Sequence, residues 1–299
     1  MAADLLPDPL RPDDGERGLV SDFSDLRDRV LRSWDLFIPV AQSVDPQGRT
    51  RSRGNRVRDL MIPLGAWPDA RGIHGMIDDA RAGVLETESE NAAEKRLRAA
   101  HADASDDDVL SAVLTARDHI ADWVTSAGAA AEAQLVTGSP LGPVPLGTLI
   151  HAASFQLAVI ARDLRPAGAA SVPDLDGLGV VALVDSSGAV AARLDATASI
   201  AAVTPEVNAG TGAEPGRWRT TVAADDHHRL GPAVLGPAGL LVDIAAGRVD
   251  LIELARRLRV RDGRGLVGMS VVLDGIPDLP AAAMLRKAGG LLRWGGLSG

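Results

Sequence analysis

Apolar residues first fall into a helical rhythm after Asp22, where Leu26, Val30, Trp34, Phe37, Ile38, Ala41 and Val44 recur at steps of three and four. That spacing predicts a long amphipathic helix, which Pro46 and Gly48 end. A second helix is expected after Gly54, carrying Val57, Leu60, Met61 and Leu64; Pro63 lies inside it, removes a backbone donor and predicts a kink or break. The stretch Asp69 to Ala82 reads as a helix closed by Gly83, and the charged segment Glu86 to Lys95 follows it without a readable apolar stripe. Ser105 with Asp108 three residues on resembles a capping box, so a further helix should begin there with Val109, Val113, Ile120 and Val124 inward. Beyond the Gly/Pro-rich loop Gly138 to Pro145, Leu146, Leu149, Ala153, Leu157 and Ile160 give another helical stripe within Val144 to Leu164. These helices predict an antiparallel bundle.

After Pro166 the pattern changes. Residues 175 to 194 fit either a helix or a buried strand, because the run Val180 to Val184 is apolar in both periods. Shorter strand signals follow at Thr197 to Thr204, Trp218 to Val222 and Val234 to Leu235, then a helix over Pro237 to Ala246 with proline in its first turn and Gly247 at its end. The expected architecture is α+β: a lead-in over 1–20 that is rich in proline and acid, a four-helix bundle over 21–166, and a smaller mixed α/β domain over 167–299.

Composition narrows the chemistry. The 299 residues are 46% hydrophobic and 24% charged, ample for one or two cores. There is no cysteine, which excludes disulfides, thiolate metal sites and a cysteine nucleophile, and no tyrosine to serve as a general acid. Only 3% of residues are aromatic and the net charge is −9, a poor basis for nucleic-acid binding. The apolar run Ala233 to Val242 is about half of what a bilayer span requires, and Asp4 and Asp8 stand where a signal peptide would be basic and apolar. A cytoplasmic protein is expected.

Familiar catalytic signatures are weak. Gly263, Gly265 and Gly268 have dinucleotide-loop spacing without a strand–turn–helix frame, and neither a nucleophile elbow nor a phosphate-loop lysine occurs. His227 and His228 are adjacent, so on a strand they face opposite ways. The arginines at 49, 51, 53, 56 and 58, and those at 256, 257, 259, 261 and 264, suit either a carboxylate or a solvated face.

Residues 26–34 (LRDRVLRSW), 57–68 (VRDLMIPLGAWP) and 151–164 (HAASFQLAVIARDL) resemble the mycothiol-dependent maleylpyruvate isomerase family, whose first domain is a DinB-like four-helix bundle. Residues 235–241 (LGPAGLL) and 246–248 (AGR) are similar to the sterol-carrier-protein-like domain that often accompanies it. In metal-binding members, the resemblance implies a histidine on the second helix and Glu-x-x-x-His on the last bundle helix, three ligands with open positions for substrate. Those positions are Pro63, Gln156 and Ile160 here, so no metal and no other cofactor is expected.

Replacement of a polar centre by Pro63 and Ile160, with Ile62, Trp67 and Phe155 beside them, predicts an apolar pocket with Gln156 as its directional group. The alternative is that these side chains fill the former cavity as core. His151 and Asp163 are the candidate proton carriers and Arg58 a further binding residue; His151, five residues from Gln156, lies about 140° away around the helix. The expected partner is an uncharged or weakly acidic small organic molecule, with neither nucleic acid nor membrane. Three functions follow: a metal-independent isomerase or cyclase, a non-catalytic ligand-binding or interaction protein, and a mycothiol-dependent isomerase or transferase. The sequence leaves oligomeric state open.

Overall fold

The structure is a computed structural model that describes residues 23–86, 88–140, 142–193, 198–203, 217–222, 233–249 and 259–261. The lead-in at 1–20, the triple-glycine segment at 263–268, His227 and His228, and most of the second arginine group lie outside the described residues.

The first helix, α1 (Phe23–Gln42), turns Leu26, Val30, Trp34 and Phe37 inward, as the rhythm predicts. The short α2 (Val57–Met61) passes into a 3₁₀ turn over Ile62–Leu64 at Pro63, the expected break. Next come α3 (Gly72–Ala82), closed by Gly83 at φ 68°, and α4 (Glu90–Ala100). The last of these occupies the charged segment that lacked a stripe. Ser89 caps it by accepting from Ala92 N, and Leu97 is its one buried hydrophobic residue, so its apolar signal is too small for periodicity to detect.

In α5 (Asp106–Val124) the capping box is formed: Ser105 Oγ accepts from Asp108 N at 3.1 Å and the Asp108 carboxylate accepts from Ser105 N at 3.1 Å. A short α6 (Ala129–Glu132) leads to a hairpin in which β1 (Val136–Thr137) pairs antiparallel with β2 (Val144–Pro145). The last bundle helix, α7 (Leu146–Asp163), therefore starts after Pro145, because Val144 and Pro145 are held in the hairpin. It packs on α1, and the open question at 175–194 resolves as a helix, α8 (Pro173–Arg193), lying along α7.

A second sheet has four strands in the order β4-β3-β5-β6: β3 (Ala198–Val203), β4 (Arg217–Val222), β5 (Ala233–Leu235) and β6 (Arg259–Arg261). β3 and β5 run parallel; the other pairings are antiparallel. Between β5 and β6 lies α9 (Ala238–Ala245), which packs on α7 and α8. The fold is α+β. One face of α8 meets α7 and its remaining faces meet β3, β4 and α9, so the helix is buried nearly all round. No described helix is long and apolar enough to cross a membrane.

Candidate functional site

Most of the candidate residues stand on α7, and helix geometry separates them into two faces. His151 is fully buried and donates from Nδ1 to Asp185 Oδ2 of α8 at 2.8 Å, which fixes the α8-facing side of α7. Thr148, three residues before, lies on nearly the same face; its Oγ1 and His151 Nε2 are buried without a protein partner. Phe155 also belongs here, since its Cα is 3.6 Å from where a Cβ on Gly179 of α8 would stand. The bare Gly179 lets α7 and α8 approach closely, because that Cβ would come within 2.7 Å of Ala158 Cβ.

Gln156, Ile160 and Asp163 form a different stripe, spread over about 60° and centred roughly 150° round from His151. Gln156 and Ile160 are half-buried, and among the described residues the Gln156 amide makes no side-chain hydrogen bond. Asp163 is buried: Oδ2 accepts from Arg248 Nη2 at 2.6 Å, whereas Oδ1 has no partner among the described residues. Burial pushes the Asp163 carboxyl above its ordinary range, against the opposing pull of Arg248 and Arg51. Helical spacing thus puts Asp163 on the Gln156 stripe and His151 on the other side of α7.

The second-helix candidates are held by neighbours. Ile62 is core, Pro63 is half-buried in the 3₁₀ turn, and Trp67 donates from Nε1 to Ile62 O at 2.7 Å while stacking on His101 at 3.9 Å between ring centroids. His101 Nε2 lies 2.7 Å from Asp69 Oδ1, and this hydrogen bond holds the Asp69 carboxyl below its ordinary range. Arg58 donates to Ala102 O and Ala104 O and pairs with Asp106 at 3.5 Å, so its charge fastens the α4–α5 loop.

Sequence reasoning missed the polar junction at the end of α7. Arg162 donates to both oxygens of Asp243 on α9, at 2.8 and 2.5 Å, and to Asp176 of α8 at 2.8 Å; Arg51 also reaches Asp243 at 2.9 Å. Burial raises the Asp176 carboxyl, while hydrogen bonds from Arg162 and Arg51 overcome burial at Asp243 and lower it. The bare Gly239 leaves room for this group, since a Cβ there would stand 2.0 Å from Arg162 Nη1 and the guanidinium would have to shift. The signal that could have found the junction is the placement of Arg162 and Asp163 at the end of an apolar stripe.

The donor set at Pro63, Gln156 and Ile160 does not fit a metal ion. Proline and isoleucine offer no side-chain donor and the remaining group is a neutral amide. Among the described residues no three His, Cys, Asp or Glu side chains gather closely enough to hold one.

This architecture, a helical bundle continued into a small mixed sheet, is that of the maleylpyruvate isomerase fold. A solved mycothiol-dependent maleylpyruvate isomerase superposes with a TM-score of 0.51 at 16% identity, over 82% of this chain and 96% of that one. A histidine-to-alanine mutant of that isomerase gives the same TM-score and coverage at 15% identity. At this identity the likeness is one of fold. No protein-family model matches the chain, and no curated protein matches it in sequence.

Proposed function

We propose that the protein is a metal-independent isomerase or cyclase acting on an uncharged or weakly acidic small organic molecule at the Gln156 stripe of α7. The observation that carries this reading is Asp163, a buried carboxyl with a raised proton affinity, on the same side of α7 as the Gln156 amide, where among the described residues one Asp163 oxygen and that amide lack partners. Gln156 and Asp163 are separated by about 10 Å along the helix axis, close to the span of one small molecule and the side chains that grip it. Gln156 orients a polar atom of the substrate; Ile160 between them supplies apolar contact. Asp163 takes a proton from one position of the substrate and returns it to another, so the rearrangement consumes no co-reactant.

Binding without turnover is the second reading. It is favoured by the ion pair of Asp163 with Arg248 and by the bond of His151 to Asp185, which give both candidate proton carriers structural partners. A mycothiol-dependent reaction ranks third, because Pro63, Gln156 and Ile160 supply no ligand set for a metal.

The test begins with a thermal-shift screen of uncharged and weakly acidic small organic molecules against the full chain, followed by NMR of each hit, which detects isomerisation at constant mass. Gln156→Leu is expected to lower kcat/KM by about a hundredfold, and Asp163→Asn to abolish turnover while leaving ligand-induced stabilisation in place. Turnover unchanged by both substitutions removes these residues from the mechanism. Hits that bind through Gln156 without product would establish the second reading.

A further inference from the structure

Two histidines outside this site meet across the α3–α5 contact. His74 of α3 is exposed and His119 of α5 half-buried, with ring centroids 4.9 Å apart and planes inclined at 57°. Neither imidazole makes a hydrogen bond or ion pair among the described residues, so their nitrogens are uncommitted. They are 45 positions apart in sequence and converge only because α3 lies against α5.

The spacing lies within ordinary ring contact and is also one that two imidazoles on a common ion adopt. A zinc-type ion binds imidazole nitrogen at about 2.0–2.1 Å, and the ring centre lies about 1.1 Å beyond the nitrogen. Two imidazoles on one ion at an angle of about 100–110° therefore have centroids about 4.7–5.2 Å apart. The observed separation falls in that interval, and a tilt between the planes is compatible with both rings on one ion. We infer that His74 and His119 form a two-imidazole site for a borderline divalent cation such as Zn²⁺, Ni²⁺ or Cu²⁺, bridging α3 to α5.

The carboxylates nearest the two histidines along their helices are Asp78, one turn on from His74 and 3.5 Å from Arg81, Asp118, bonded to Arg117, and the exposed Asp122. No third His, Cys, Asp or Glu completes a three-ligand group among the described residues, so the remaining positions on a bound ion would be left to solvent. Imidazole donors favour these ions over Mg²⁺ or Ca²⁺, which require oxygen ligands. The site is distinct from Pro63, Gln156 and Ile160, so a metal found on this protein would not by itself restore a catalytic centre there.

The experiment is titration of the tag-free, chelator-treated full chain with Zn²⁺ alone, read by calorimetry, and with Cu²⁺ alone, read by the nitrogen hyperfine structure of its electron paramagnetic resonance spectrum. We expect one equivalent bound, two nitrogen donors to Cu²⁺, and a Zn²⁺-dependent rise in Tm. His74→Ala and His119→Ala should each weaken binding more than about tenfold and remove the rise in Tm. Both positions are at least partly exposed, and circular dichroism establishes that each variant is folded. Binding that survives the double replacement, or that depends on one histidine only, overturns the inference, as does the absence of binding by the native chain.

Discussion

Asp163 shows how one side chain acquires a property that its residue type does not carry. A free aspartate ionises near 3.8; here burial disfavours the charged form and Arg248, with Arg51 behind it, offsets only part of that cost. Because the folded-state value is raised, the native state holds the proton at pH values where the unfolded chain has released it. Asp163 therefore favours folding below 3.8, and that contribution is lost as pH rises through the raised folded value. In urea melts across this range, the stability of the native chain should fall relative to Asp163→Asn with rising pH. A difference that is flat, or that grows with pH, would show Arg248 dominating over burial.

At the scale of elements, α7 and α8 are joined by close packing at Gly179 and by the buried His151–Asp185 bond. A polar pair inside an apolar interface is sensitive to the loss of one member, which strands the other without solvent. Asp185→Leu alone is expected to cost about 2 kcal/mol, and the double change His151→Leu with Asp185→Leu to recover most of it. Equal costs for the single and double variants in denaturant melts would mean that the bond contributes nothing beyond volume. The buried surroundings of α8 also explain its ambiguity in sequence. A helix covered by α7, β3, β4 and α9 has no polar face, so neither the helical nor the strand period stands out.

Across the whole molecule, Arg162 is the group on which the end of the bundle and α9 converge. It bonds Asp243 and Asp176 together, and the missing Cβ of Gly239 admits its guanidinium. Truncating one partner of such a network leaves uncompensated buried charge, so Arg162→Met should destabilise the chain by about 3–5 kcal/mol. Amide exchange in α9 is expected to accelerate more than in α1, which the network does not touch. Uniform acceleration in both helices would show that the junction is no more than a share of global stability.

What the sequence determined by itself is the set of elements whose signal is local. The stripe of α1, the break at Pro63, the Ser105 capping box and the strands at 198–203 and 217–222 depend on near neighbours in the chain, and each was legible there. Resemblance in three segments of the bundle also pointed to the isomerase fold that superposition bears out. Helix α4 was not legible, because a helix with one buried hydrophobic residue carries almost no periodicity. The direction of each α7 side chain was fixed by helical spacing, but spacing does not say what lies opposite. Only the tertiary structure decided that His151 faces Asp185, that Asp163 pairs with Arg248 through one oxygen only, and that His74 meets His119. Those partners lie 34, 85 and 45 positions away, for His151, Asp163 with Arg248, and His74 respectively. At such separations the chain imposes no geometry, and packing of one helix on another brings the groups together.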